Sequence, residues 1–153
     1  MKRFSEKYVI AKDMEWEVLG GGVSRKFLGY DNQIMMVRVK FDKGALGAPH
    51  QHFHTQATYC VSGKFEFEID GVKQIVEAGD GVYIEPNLLH SAVCLEEGEL
   101  IDTFSPVRED FLTGEGPSYF GDKKWTAWKY PAHYHCREHF VQWQQLRLNQ
   151  CRR

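Results

Sequence analysis

Hydrophobic and polar residues alternate along much of the chain before residue 112. In Gln33–Phe41, Met35, Val37, Val39 and Phe41 fall on one face, with Arg38 and Lys40 on the other. Lys64–Asp70 alternates more strictly, setting Phe65, Phe67 and Ile69 against Lys64, Glu66 and Glu68. Successive side chains of a strand point to opposite faces, so this period of two marks a half-buried strand. Asp70-Gly71 supplies a two-residue turn into Val72–Glu77, a hairpin signal. Ala78-Gly79-Asp80-Gly81 turns the chain again before Val82–Ile84, and Ser91–Leu95 and Leu100–Phe104 read as further strands. No capped stretch of helical period occurs before residue 120. Many short strands separated by turns predict an all-β sandwich or barrel, with the jelly roll among the candidates.

The texture changes where Gly114, Gly116, Pro117 and Gly121 cluster. The expected organisation is a β domain over residues 1–121 and an extension over 122–153. The extension carries seven Lys and Arg against Asp122 and Glu138, or +5; the 19 basic and 21 acidic residues of the whole chain then leave −7 for the first 121. The extension is expected to be disordered or a short helix at Arg137–Gln150, where the apolar stripe is ragged. His133, His135, Cys136 and His139 there could be a second metal cluster, and Tyr134 with the basic residues an RNA-binding set, but no standard zinc spacing is met.

Composition narrows the class. The 153 residues are 42% hydrophobic and 26% charged with a net charge of −2, which fits a globular domain and not a disordered chain. The balance argues against a general nucleic-acid binder, and no run approaches the ~20 apolar residues that cross a bilayer. The stretch MKRFSEKYVIAKDMEWE holds no apolar signal core, so a cytoplasmic location is expected. Without a CxxC pair, Cys60, Cys94, Cys136 and Cys151 read as reduced thiols, and the first two as core filling.

Candidate chemistry is concentrated in APHQHFHTQATY. His50 and His52 are two apart, so on an extended strand they share a face that Gln56 can join. His90 lies 38 residues beyond His52, on what reads as an opposing arm. Imidazoles converging from two strands are what a transition-metal site requires. His54 is read as a rim residue.

Residues 44–63 run Gly44, five residues, His50-x-His52, three residues, Gln56, six residues, Gly63, which resembles the first cupin motif with Gln in place of the usual Glu. Gly79-Asp80 and Pro86-Asn87-Leu88-Leu89-His90 resemble the second. They depart from it by a proline-to-histidine spacing one residue short, by Leu88 where Gly is common, and by Cys94 where Asn often ends the motif. A narrower similarity, to the KdgF-like cupins of uronate catabolism, rests on Trp16 to Val23, Ser62 to Phe67 and Asp102 to Phe111. The cupin resemblance implies a double-stranded β-helix, a jelly-roll barrel, with a metal held inside by His50, His52, Gln56 and His90. The KdgF-like resemblance implies conversion of 4,5-unsaturated monouronates, from pectin or alginate, to linear keto-uronates. A homodimer is a family-level expectation, while neither nucleic acid nor membrane is an expected partner.

The residue chemistry is compatible with that implication. Three imidazoles and an amide are neutral, so a divalent ion would keep its full charge and suit an anionic, oxygen-rich ligand. Nitrogen donors favour Zn, Ni, Fe, Co or Mn over Mg. A closed tetrahedral zinc remains the structural alternative. Asp102 is the candidate general acid/base, sharing the barrel-facing side with Phe104, which could pack on a sugar ring. Arg108 could grip the substrate carboxylate with its fork; otherwise Arg108-Glu109-Asp110 is a solvated charge cluster and Phe104 plain core. Two other functions use the same pocket: a non-catalytic sugar-acid-binding module, and a dioxygenase or isomerase acting on another small substrate.

Overall fold

The computed structural model describes residues 4–113. Eight strands, β1 (Glu17–Gly20), β2 (Val23–Tyr30), β3 (Met35–Phe41), β4 (Leu46–His50), β5 (Thr55–Ile69), β6 (Val72–Glu77), β7 (Gly81–Ile84) and β8 (His90–Ser105), are followed by a helical turn, α1 (Glu109–Thr113). All the pairings are antiparallel. The all-β expectation therefore holds, and β6 begins and ends where the hairpin signal placed it. One expectation needs correcting. The strands at Lys64–Asp70, Ser91–Leu95 and Leu100–Phe104 are parts of two long strands. The boundary at residue 121, the extension and its His/Cys cluster lie outside the described residues. Among those described, no helix is long and apolar enough to cross a membrane.

The long strands β5 and β8 form a bent ribbon that gives the domain two walls. Thr55–Cys60 pairs with β7 and the end of β8, whereas Lys64–Ile69 pairs with β6 and the start of β8. The end of β8 continues through β3 and β2 to β1, while its start pairs with β4. Between the halves the β5–β8 register shifts from Cys60↔Leu100 to Phe65↔Cys94. The shift also flips the parity of β5, so Gln56, Thr58 and Cys60 point inward before it and Phe65 and Phe67 after it. That explains why alternation alone made the ribbon look like separate strands.

Glycine makes the bend passable. Gly63 has φ +83, and a Cβ there would lie 2.6 Å from the Glu97 carbonyl oxygen. On β8, a Cβ at Gly98 would come within 2.1 Å of the Ser62 carbonyl oxygen. Such distances exclude any side chain unless backbone moves.

Between the walls lie Met35, Val37, Val39, Phe41, Cys60, Phe65, Phe67, Cys94 and Leu100, all buried. Burying one large apolar side chain contributes about 1.5–3 kcal/mol, so this cluster dominates the stability. Cys60 and Cys94 are free thiols within it, and burial raises the pKa of both. Arg25 joins the N-terminal strands to α1: it bonds both Glu17 carboxylate oxygens at 2.8 and 3.0 Å and lies between the Phe27 and Phe111 rings.

The bend can be tested by two alanine substitutions. Gly71 has φ +79 but nothing near its missing Cβ, so Gly71→Ala should cost only the left-handed strain, about 1–2 kcal/mol. Gly63→Ala should cost at least ~3 kcal/mol, because backbone must shift as well. Thermal melts of the two variants check this; equal losses would contradict it.

Candidate metal centre

One end of the lumen is polar. His90 opens β8 and pairs directly with His50, the last residue of β4, and their ring centroids are 4.3 Å apart. The sequence reading put His50 and His52 on one strand. Instead β4 stops at His50, and His52 sits in the turn leading to β5. That turn is anchored where the Asn87 backbone N–H donates to the His52 carbonyl at 2.7 Å. His52 still converges, with its ring centroid 5.6 Å from His50 and 5.0 Å from His90. One ring nitrogen from each of the three lies within 4.8 Å of the other two.

The proton positions follow from the backbone. Nδ1 of His50 donates to the Ala48 carbonyl at 2.8 Å, Nδ1 of His52 to that of His54 at 3.0 Å, and Nδ1 of His90 to that of Leu88 at 2.8 Å. Each neutral ring therefore carries its proton on Nδ1 and a lone pair on Nε2. Burial, helped by neighbouring positive charge, lowers the His50 pKa to about 4 and that of His52 to about 3, and burial also lowers that of His90. At neutral pH all three are uncharged donors suited to a metal.

Gln56 sharpens the case. Its Nε2 donates to Thr58 Oγ1 at 3.0 Å and to Asp102 Oδ1 at 3.3 Å, which turns Oε1 towards His52. Oε1 lies 3.1 Å from His52 Nε2. With the ring proton on Nδ1, two lone pairs face each other across that gap. His90 Nε2 is buried with no hydrogen-bond partner. Converging acceptors without a proton between them fit a cation, so the four residues suit the group that their types implied.

Behind Gln56 is a buried carboxyl. Asp102 accepts from Thr58 Oγ1 at 2.6 Å as well as from Gln56. Burial pushes its pKa up to about 6, although both hydrogen bonds and the Arg108 charge pull the other way. That value suits a group exchanging protons near neutrality. A cavity of about 30 Å³, lined by His50, Gln56, His90, Asp102 and apolar neighbours, admits groups the size of water. A sugar ring would have to stop at its mouth.

The remaining sequence candidates lie beside this set. Phe104 is 1% exposed, and its ring packs edge-on against His52 at 5.7 Å and Phe111 at 5.6 Å. Arg108 is 1% exposed and bonded to Asp110, so it is not part of a solvated charge cluster. His54, read as a rim residue, is 5% exposed, with its ring 3.9 Å from that of Phe53 and 5.4 Å from that of His52. Sequence reasoning missed Thr58 and Asp110. Each lies two residues from a named candidate, a spacing that placed Thr58 on the Gln56 face of β5.

Comparisons with known proteins agree with this fold. Residues 37–104 match the model of the cupin domain. The chain is 47% identical over 108 residues to the pectin degradation protein KdgF of Dickeya dadantii, covering 69% of this chain and 98% of that protein. Among solved structures, an RmlC-like cupin from Shewanella frigidimarina superposes with a TM-score of 0.71 at 44% identity, over 72% of this chain and 99% of that one. KdgF from a Halomonas species superposes with a TM-score of 0.67 at 38% identity, over 70% and 99%.

The donor set predicts one divalent transition ion per chain. His90→Ala should lower its affinity by more than ~100-fold, and Thr58→Val, which frees the Gln56 amide, by about tenfold. Calorimetric titration of metal-free protein with Zn²⁺ or Co²⁺ measures both; unchanged affinity in the His90 variant would refute the site.

Proposed function

The chain belongs to the cupin family as a KdgF-like member, and from that premise we propose that it opens 4,5-unsaturated monouronates, released from pectin or alginate, to linear keto-uronates. The observation that carries the reading is the Asp102 carboxyl, near pKa 6 and bonded to the amide whose other end faces the imidazoles. The Dickeya dadantii relative, a pectin degradation protein, supports the substrate class.

In this reading His50, His52, His90 and Gln56 hold a divalent transition ion. When bound, the ion supplies Lewis acidity and anchorage for an oxygen-rich anion. Asp102 takes the proton from the anomeric hydroxyl as the bond between the anomeric carbon and the ring oxygen breaks. The ring oxygen leaves as the oxygen of an enolate. Asp102 then returns the proton to the enolate carbon, giving the ketone, so the reaction is an isomerisation needing no other reactant. Thr58 and Gln56 keep the carboxyl aimed while it changes charge. Phe104 walls the site beside His52, and Arg108 contacts the acid group of the substrate.

Two outcomes are expected when the ultraviolet absorbance of an unsaturated monouronate is followed. Chelation should abolish acceleration of its decay, and re-added metal should restore it. Asp102→Asn should lower kcat by about 10²–10⁴-fold with metal content intact, the range for loss of a general acid/base. Full turnover by the metal-free protein would overturn the proposal. An Asp102 variant that keeps its rate would favour a binding module or a different catalyst.

A further inference from the structure

Arg108 is among the largest fully buried side chains of the described residues, and its charge is met two residues away. Nε donates to Oδ1 of Asp110 at 2.9 Å, and Nη2 to Oδ2 at 2.6 Å. Two parallel bonds along one edge of the planar group fix both its place and its orientation. The guanidinium carbon also lies 4.1 Å from the centroid of Phe111 and 5.3 Å from that of Phe104. One edge and the aromatic contacts thus belong to the protein. Of the three nitrogens only Nη1 is buried with no acceptor.

An unbonded buried donor is costly, the more so when it is charged, so an acceptor arriving at Nη1 is strongly favoured. The guanidinium stands on the side of the imidazoles, since the Phe104 ring that it faces at 5.3 Å packs against His52 at 5.7 Å. Burial pushes the Asp110 carboxyl up, but the hydrogen bonds and charge of Arg108 outweigh it, and its pKa is lowered. At neutral pH the pair is therefore close to neutral overall. What it offers an anion is its end-on side, where both N–H groups of Nη1 and the second of Nη2 remain.

We propose that Asp110 is a positioning residue for substrate recognition: by occupying the Nε edge of Arg108 it leaves the Nη1 side as the one that meets the acid group of the uronate, which binds end-on. The proposal rests on the sugar-acid reading of this site, and it replaces an open two-pronged grip with a fork whose first edge is already taken.

The sign of one kinetic effect separates positioning from plain charge. Removing a negative charge close to an anionic substrate should lower KM if only electrostatics mattered. Positioning predicts the reverse. In the metal-loaded full chain, Asp110→Asn should raise KM for an unsaturated monouronate by about tenfold while kcat changes less than about threefold, a shift of ~1.4 kcal/mol in binding. Glu109→Gln, at an exposed neighbouring carboxylate, should leave KM unchanged. In an Arg108→Ala background, Asp110→Asn should add nothing. A KM that falls or stays constant, or an equal rise without Arg108, would overturn the proposal.

A measurement without substitution covers a variant that does not fold. In ¹⁵N spectra of the arginine side chains, galacturonate, a saturated monouronate that cannot react, should shift the Arg108 Nη signals and leave Nε–H in place. A shift of Nε with stationary Nη would overturn the proposal. Shifted Nη signals in a chain that turns over no unsaturated uronate would remove the proposed reaction and leave the positioning role. Turnover with stationary Nη signals would do the opposite.

Discussion

The site depends on where three protons are not. Each imidazole gives its Nδ1 proton to a backbone carbonyl, so the Nε2 atoms present lone pairs where they meet. Gln56 adds its oxygen to the same space, because Thr58 and Asp102 claim its NH₂ group. Acceptors brought this close repel one another unless positive charge lies among them. The fold enforces the arrangement through the Ala48 carbonyl of β4 and the His54 and Leu88 carbonyls in the turns before β5 and β8, which hold the rings with no help from a ligand. A cation would therefore complete the site without having to build it.

The barrel geometry turns that local constraint into a usable pocket. The bent β5–β8 ribbon sets two walls facing each other, and its apolar residues fill the closed end of the lumen. The polar residues gather at the opposite end, where β4 meets β8 and the first half of β5 pairs with the second half of β8. Asp102 and Phe104, on β8, and Gln56 and Thr58, on β5, thereby share one surface. Burial has opposite consequences on it: it keeps the imidazoles neutral and ready to donate lone pairs, and raises the carboxyl into the range of proton exchange.

Period-two alternation made the all-β class and the β5–β6 hairpin legible, because a half-buried strand must alternate. The continuity of β5 and β8 was not legible. A register shift at Ser62–Gly63 reverses which side chains face inward, and the pattern then reads as a break. His50, His52, Gln56 and His90 could be named because spacing and motif both pointed to them. The reason for one convergence was misread: His52 arrives from a turn, not from the strand face shared with His50. Thr58 and Asp110 were overlooked because each does its work through a neighbour, as a hydroxyl fixing an amide and a carboxylate fixing a guanidinium. Such roles depend on three-dimensional contacts that no residue type announces. The burial of His54 belongs with these, since a turn residue reads as exposed until the direction of the turn is known.

Anomalous diffraction from crystals of the metal-loaded chain, recorded at the absorption edge of the bound ion, tests the central claim most directly. The expected map shows one peak about 2.0–2.2 Å from Nε2 of His50, His52 and His90, with the Gln56 oxygen, not its nitrogen, turned towards it. A peak bound through any Nδ1, a peak elsewhere in the lumen, or a Gln56 amide turned the other way would contradict the assignment of protons on which the site is built.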